Sequence, residues 1–106
     1  MIPEATVEAA LEFRRDNTER LGMLRGQKIY LEHKIKIVKS QRFLSVDGTV
    51  AEREAMALAS PEYVEVVEEY RDCVTELDTL LTRMKSGEIN IEVWRTQAAN
   101  QRRGNI

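Results

Sequence analysis

The chain has 106 residues, a length that predicts one domain with a small core. Charged residues make up 32% and hydrophobic residues 42%, a composition that favours long helices over a β-rich or disordered chain. The net charge of -2 neither requires nor excludes nucleic acid, because phosphate binding depends on a local basic surface. No apolar run near the N-terminus is long enough for export or membrane spanning, which predicts a cytoplasmic protein.

The first half of the chain predicts a helix from about residue 4 to residue 44. Pro3 suits the first turn of a helix, and the acidic residues that follow stabilise the positive end of its dipole. Gly22 and Gly26 each cost about 1 kcal/mol relative to alanine, which permits a bend at either glycine. Seam positions recur in steps of three and four residues, as in a coiled coil, at Val7, Ala10, Arg14, Asn17, Leu21, Leu24, Lys28, Leu31, Ile35 and Val38.

A turn and a short helix connect the two halves of the chain. Asp47-Gly48 is a turn signal, and Thr49 with Glu52 fits a capping box, so we expect a short helix at about residues 50–59. Ser60 and Pro61 then supply an N-cap and a first helical position for a second long helix.

The second long helix is expected at about residues 61–101, with a kink at Ser86-Gly87, where glycine takes a seam position. Its other seam positions keep the three- and four-residue spacing of the first helix: Tyr63, Val66, Tyr70, Cys73, Leu77, Leu80, Met84, Ile91, Trp94 and Ala98. The sequence therefore predicts a single all-α domain over residues 1–106: a long antiparallel helical hairpin, coiled-coil-like, with a short connecting helix.

Charge runs bear on the register of the hairpin. Basic residues dominate residues 28–42 and acidic residues dominate residues 63–77, and an antiparallel arrangement would place the two runs side by side. In one interpretation these charges neutralise each other and select the register. In the other, basic side chains stay free on one flank of the first helix and bind phosphates. We define this basic flank by Arg25, Lys28, Lys36, Lys39 and Arg42.

The candidate nucleic-acid-binding residues combine part of that flank with the C-terminal region. Trp94 is a candidate for stacking on an unpaired base, although its seam position also fits core packing. The full set is Lys28, Lys36, Lys39, Arg42, Trp94, Arg95, Arg102 and Arg103.

Apolar residues exceed what one hairpin seam can bury. A second stripe on the first helix and a broadened face on the second indicate a bundle formed by several copies; the alternative is a first helix folded back into a three-helix monomer. The short helix, through Val50, Met56 and Leu58, is a candidate cover for the end of the first stripe. The predicted oligomer interface comprises Met23, Tyr30, Ile37, Leu44, Val67, Val74 and Leu81.

Catalytic and metal-binding signatures are not evident. His33 has no second histidine or cysteine near it at ligand spacing, and the acidic cluster at Glu65, Glu68, Glu69 and Asp72 follows the spacing of a solvated helix face. No phosphate-cradling glycine loop or nucleophile elbow is present. The sequence predicts a protein that is not an enzyme, with no cofactor and no metal.

Two segments carry a resemblance to known proteins. SPEYVEVVEEYRDCV and IEVWRTQAANQRR, within residues 60–103, resemble a pattern of small phage and prophage proteins in which HPEY and a glutamate-rich helix precede IEVWRT and a basic tail. Ser60 stands where the pattern has histidine. In size and helical-hairpin character, without a shared motif, the chain also resembles phage recombination mediators of the UvsY type, which oligomerise and bind single-stranded DNA through basic helical residues.

The resemblance implies a role beside recombination or replication genes, in the cytoplasm of a bacterial host. We therefore expect a non-enzymatic accessory protein that binds single-stranded DNA non-specifically as a homo-oligomer, with recombination proteins as further partners. The alternative is a coiled-coil interaction adaptor or inhibitor without nucleic-acid binding.

Overall fold

The computed structural model describes residues 1–104, and within that range it contains helices and no strands. The helices are α1 (Glu4–Asp16), α2 (Thr18–Ser45), α3 (Val50–Leu58) and α4 (Pro61–Gly104). The all-α prediction is confirmed. The described chain divides into two compact units, one formed by residues 1–22 and 78–104, and one formed by Met23–Leu77.

In the first unit, Asn17 separates α1 from α2, where one continuous helix was predicted. Its φ and ψ are -109° and 5°, and its side-chain amide donates to the Phe13 carbonyl at 2.8 Å. The Asn17 backbone N–H donates to the same carbonyl at 3.1 Å, so the side chain competes with the backbone for one acceptor. Neither Gly22 nor Gly26 interrupts α2.

The first unit also pairs α1 with the C-terminal part of α4 in antiparallel directions. The Ile2 N–H donates to Gln97 Oε1 at 3.0 Å, and Val7 and Leu80 are buried. α4 is not interrupted at Gly87, where a kink was predicted. A Cβ built on Gly87 would lie 3.1 Å from the Ala10 Cβ, so this glycine lets α1 approach α4 closely.

In the second unit, the C-terminal part of α2 packs antiparallel to the N-terminal part of α4. The Tyr70 hydroxyl donates to Glu32 Oε1 at 3.3 Å, and the Cys73 thiol donates to the Leu24 carbonyl at 3.5 Å. The buried apolar side chains of this unit all come from predicted seam positions or from α3: Leu24, Leu31, Ala57, Val66, Cys73 and Leu77.

Local capping signals position α3 and the start of α4. Gly48 has a φ of +131°, which strains other residue types, and the Glu52 N–H donates to the Thr49 hydroxyl at 3.2 Å. Ser60 is buried, accepts a hydrogen bond from the Tyr63 N–H at 3.3 Å and donates to the Ala57 carbonyl at 2.8 Å. Both predicted N-caps are therefore formed.

Candidate interaction surfaces

The basic flank lies on α2 within the second unit, and its members differ in their surroundings. Lys28 is half-buried at its seam position, whereas Lys36 and Arg42 are exposed. Lys39 lies 3.3 Å from Glu54 of α3, in an ion pair that no sequence pattern indicated. In the described part of the chain, Lys28, Lys36 and Arg42 form no ion pair.

The predicted neutralisation of this flank by the acidic run of α4 is limited. Lys34, which lies outside the flank, forms an ion pair with Glu69 at 3.6 Å, with both side chains partly exposed. Asp72 pairs with its neighbour Arg71 at 3.2 Å. Glu65 and Glu68 are exposed. α2 and α4 are thus antiparallel, as the charge runs predicted. Within the described residues, however, the basic flank forms no ion pair with α4.

The C-terminal candidates lie in the first unit. Trp94 is half-buried at its seam position, which limits the ring surface available for stacking on a base. Arg95 is exposed and forms a helical ion pair with Glu92 at 3.4 Å. Arg102 and Arg103 are exposed in the last turn of α4, where their charges also complement the helix dipole.

A groove lies between the end of α2 and α3 in the second unit. It has an open volume of about 450 Å³ and brings together Lys36 and Lys39 with apolar surface from Phe43 and Leu44. Glu54 of α3 also lines this groove. Sequence reasoning missed a neighbouring contact between α2 and α3: the Arg53 guanidinium stacks on the Phe43 ring at 4.2 Å and donates to the Phe43 carbonyl at 3.2 Å. An arginine three residues into a short helix gives no sequence signal for that contact.

The predicted oligomer interface divides into exposed and half-buried members. On α2 the exposed fractions are 73% for Met23, 57% for Tyr30, 54% for Ile37 and 75% for Leu44. α3 leaves the end of this stripe uncovered, because Leu44 keeps 75% of its surface exposed. The expected covering residues Val50, Met56 and Leu58 are themselves 68%, 40% and 42% exposed. On α4, Val67 is exposed, and Val74 and Leu81 are half-buried.

The first unit has an apolar surface of its own. Leu11, Ile89 and Val93 are exposed and line a groove of about 480 Å³ together with charged side chains of both signs: Arg14, Lys85, Glu88, Glu92 and Arg95. The mixture of charges distinguishes this groove from the outer surface of α2.

Within residues 1–104, no group of three or more histidine, cysteine or acidic side chains could hold a metal ion. The helices of the same range contain no segment with the length and hydropathy of a membrane span. No protein-family model, curated protein or solved structure matches the chain.

Proposed function

We propose that this protein is a non-enzymatic accessory protein of phage DNA recombination or replication, which self-associates and binds single-stranded DNA on basic helical surfaces. The observation that carries the proposal is the basic flank of α2. Arg25, Lys36 and Arg42 are exposed, and none of them forms an ion pair in the part of the chain that the structure describes. The resemblance of residues 60–103 to a pattern of small phage and prophage proteins also supports the proposal.

Basic side chains on a helix contact phosphates without reading base edges, so the binding would tolerate any sequence. Each neutralised phosphate releases counterions. Four contacts from the flank of each bound copy contribute about -2.8 to the slope of log affinity against log salt, which for one copy corresponds to a weakening of roughly 50-fold between 50 and 200 mM salt. Fluorescently labelled single-stranded DNA titrated at several salt concentrations tests this directly. Absence of binding at low salt, or an affinity that ignores salt, overturns the proposal.

Charge reversal on the flank separates specific contacts from net charge. We expect Lys36→Glu combined with Arg42→Glu to make the salt slope shallower by about 1.4 in magnitude for each bound copy, because each copy loses two phosphate contacts. The matched control is Arg71→Glu with Arg83→Glu, which changes net charge equally on exposed positions of α4 outside the proposed contacts. Equal weakening by both pairs contradicts a role for the flank.

A second candidate function is a coiled-coil adaptor or inhibitor that does not bind nucleic acid. The exposed apolar stripe of α2 favours it, because such surfaces mark protein interaction sites. For this function the DNA titration is negative at all salt concentrations, whereas polar replacement of Met23, Tyr30 and Ile37 abolishes association. The titration with single-stranded DNA therefore distinguishes the two candidate functions.

A further inference from the structure

α2 carries a second heptad seam on its outer surface. Starting at Met23, exposed residues without a formal charge recur in alternating steps of three and four residues, in a chain of which 32% is charged. This is the spacing by which one helix packs along another. We define the outer seam by Met23, Gly26, Tyr30, His33, Ile37, Ser40 and Leu44; each of them is exposed.

Large and small side chains alternate along the outer seam. Met23, Tyr30, Ile37 and Leu44 occupy one set of positions, and Gly26, His33 and Ser40 occupy the other. In an antiparallel helix pair, each position of one set faces a position of the other set in the opposite helix. Where the two seams overlap, an identical helix running in the reverse direction therefore places a large side chain opposite a glycine, a serine or a histidine.

Charge selects one of two antiparallel registers. In the first register, the numbers of facing seam residues sum to about 70. The residues that flank the seam then meet their own counterparts, so Lys36 lies beside Lys36 of the second copy and Lys34 lies beside Lys34. In the second register, the numbers of facing seam residues sum to about 63. Lys36 then lies beside Ile29 and Lys34 beside Gln27, so no like charges meet along the seam. The second register pairs Met23 with Ser40, Tyr30 with His33, and Ile37 with Gly26.

The groove beside α3 supports the same register. Ser40 and Leu44 lie on the outer seam and also line that groove of about 450 Å³. In the charge-compatible register, Met23 of the second copy reaches Ser40 and has this open volume to enter. Methionine is unbranched and adapts to irregular cavities of this kind.

The outer seam leaves large apolar side chains uncovered that a second copy can bury. In the assigned register these are Met23, Ile29, Tyr30 and Ile37, with exposed fractions of 73%, 57%, 57% and 54%. Burial of such side chains stabilises association by about 25 cal/mol for each Å² of apolar surface removed from water.

We propose that two copies of this chain form a two-fold dimer in which the α2 helices pack antiparallel along the outer seam, with Tyr30 and His33 nearest the axis. The proposal gives the self-association in the proposed function a defined interface, and it rests on that self-association but not on DNA binding. The DNA titration tests DNA binding and the molar mass tests the dimer, so either proposal can be overturned while the other holds.

The first test is molar mass in solution by light scattering across a range of protein concentrations. We expect the wild-type chain to approach twice the 12.2 kDa of one chain, and Ile37→Glu to remain at one chain mass. The matched control is Ile89→Glu, because Ile89 is 53% exposed against 54% for Ile37 and lies outside the seam. Circular dichroism verifies that both variants keep their helices. A monomeric wild type, or equal dissociation by both variants, overturns the proposal.

The second test determines direction and register by cysteine cross-linking in a Cys73→Ala background. We expect a short thiol-specific cross-linker to join Met23→Cys chains to Ser40→Cys chains, and to leave each single variant unlinked by itself. Self-linking at position 23 indicates parallel helices and overturns the antiparallel assignment. Linking of Gly26→Cys to Leu44→Cys, without linking between positions 23 and 40, selects the other register and overturns the assigned one.

Discussion

Gly87 illustrates how one residue can have opposite interpretations in sequence and structure. As a helix-interior glycine it costs about 1 kcal/mol relative to alanine. At a seam position its missing side chain predicts a gap in the packing. In the structure the space is filled by α1, because the Ala10 Cβ would lie 3.1 Å from a Cβ at position 87. The absent side chain is thus what permits the close approach.

This contact predicts that Gly87→Val destabilises the first unit. Two extra γ-carbons beyond a Cβ that is already tight must displace α1, and overpacking of this kind typically costs about 1–3 kcal/mol. Gly22→Val is the control, because nothing lies within 4 Å of a Cβ built there and valine has the better helix propensity. Urea unfolding measures both variants. An equal free energy of unfolding for the two contradicts the close approach.

At the scale of the element, Ser60 joins the end of α3 to the start of α4. Its hydroxyl accepts from the Tyr63 N–H at 3.3 Å and donates to the Ala57 carbonyl at 2.8 Å, and only 3% of the residue is exposed. Water therefore cannot replace the hydroxyl easily if it is removed.

We expect Ser60→Ala to lower the free energy of unfolding by about 1–2 kcal/mol, the upper half of the range for N-cap loss, because the Tyr63 N–H is left without its partner. Ser86→Ala serves as the control, since Ser86 is an exposed residue inside α4 where alanine is the better helix former, and its hydroxyl donates to the Thr82 carbonyl of the same helix. Thermal or urea denaturation followed by circular dichroism distinguishes the two variants. A loss at Ser86 as large as that at Ser60 would refute the capping role.

Helix starts and inward faces could be predicted from sequence because their causes are local. Thr49 and Ser60 cap through residues three positions away, and the seam residues of α4 from Tyr63 to Ala98 are all buried or half-buried. The interruption at Asn17 could not be predicted in this way. Propensity ranks glycine as the weakest helix former after proline, whereas the break arises from a side-chain amide that shares an acceptor with its own backbone.

For the candidate surfaces, the sequence predicted the direction of helix packing but not the individual ion pairs. Opposite charge runs indicated antiparallel packing, but individual ion pairs depend on the reach of flexible side chains, so Lys39 pairs with Glu54 of α3 and not with α4. The stripe from Met23 to Leu44 was identified from its apolar members alone. Its small members, Gly26 and Ser40, could be assigned to a seam only after the structure showed that this whole face of α2 is exposed.

At the scale of the whole molecule, the outer seam and the basic flank are neighbours on α2. Lys36 lies at the edge of the outer seam, and the remaining flank residues lie further round the helix towards the buried Leu24 and Leu31. In an antiparallel two-fold pair, equivalent edges of the two helices adjoin on one side. The proposed dimer therefore places both basic flanks on the same side, which doubles the number of phosphate contacts available to one strand.

This arrangement predicts that dimerisation determines the salt dependence of DNA binding. Ile37→Glu leaves every basic side chain in place but removes the second flank, so we expect the slope of log affinity against log salt to fall to about half its wild-type magnitude, from roughly -5.6 for eight contacts to roughly -2.8 for four. Ile89→Glu adds the same negative charge without disturbing the seam and should keep the wild-type slope. The measurement is a fluorescence titration of single-stranded DNA from 50 to 200 mM salt, at protein concentrations where light scattering shows the wild type as a dimer. An unchanged slope for a monomeric Ile37→Glu chain would mean that a single flank binds the strand and that the dimer contributes nothing to the contact with DNA.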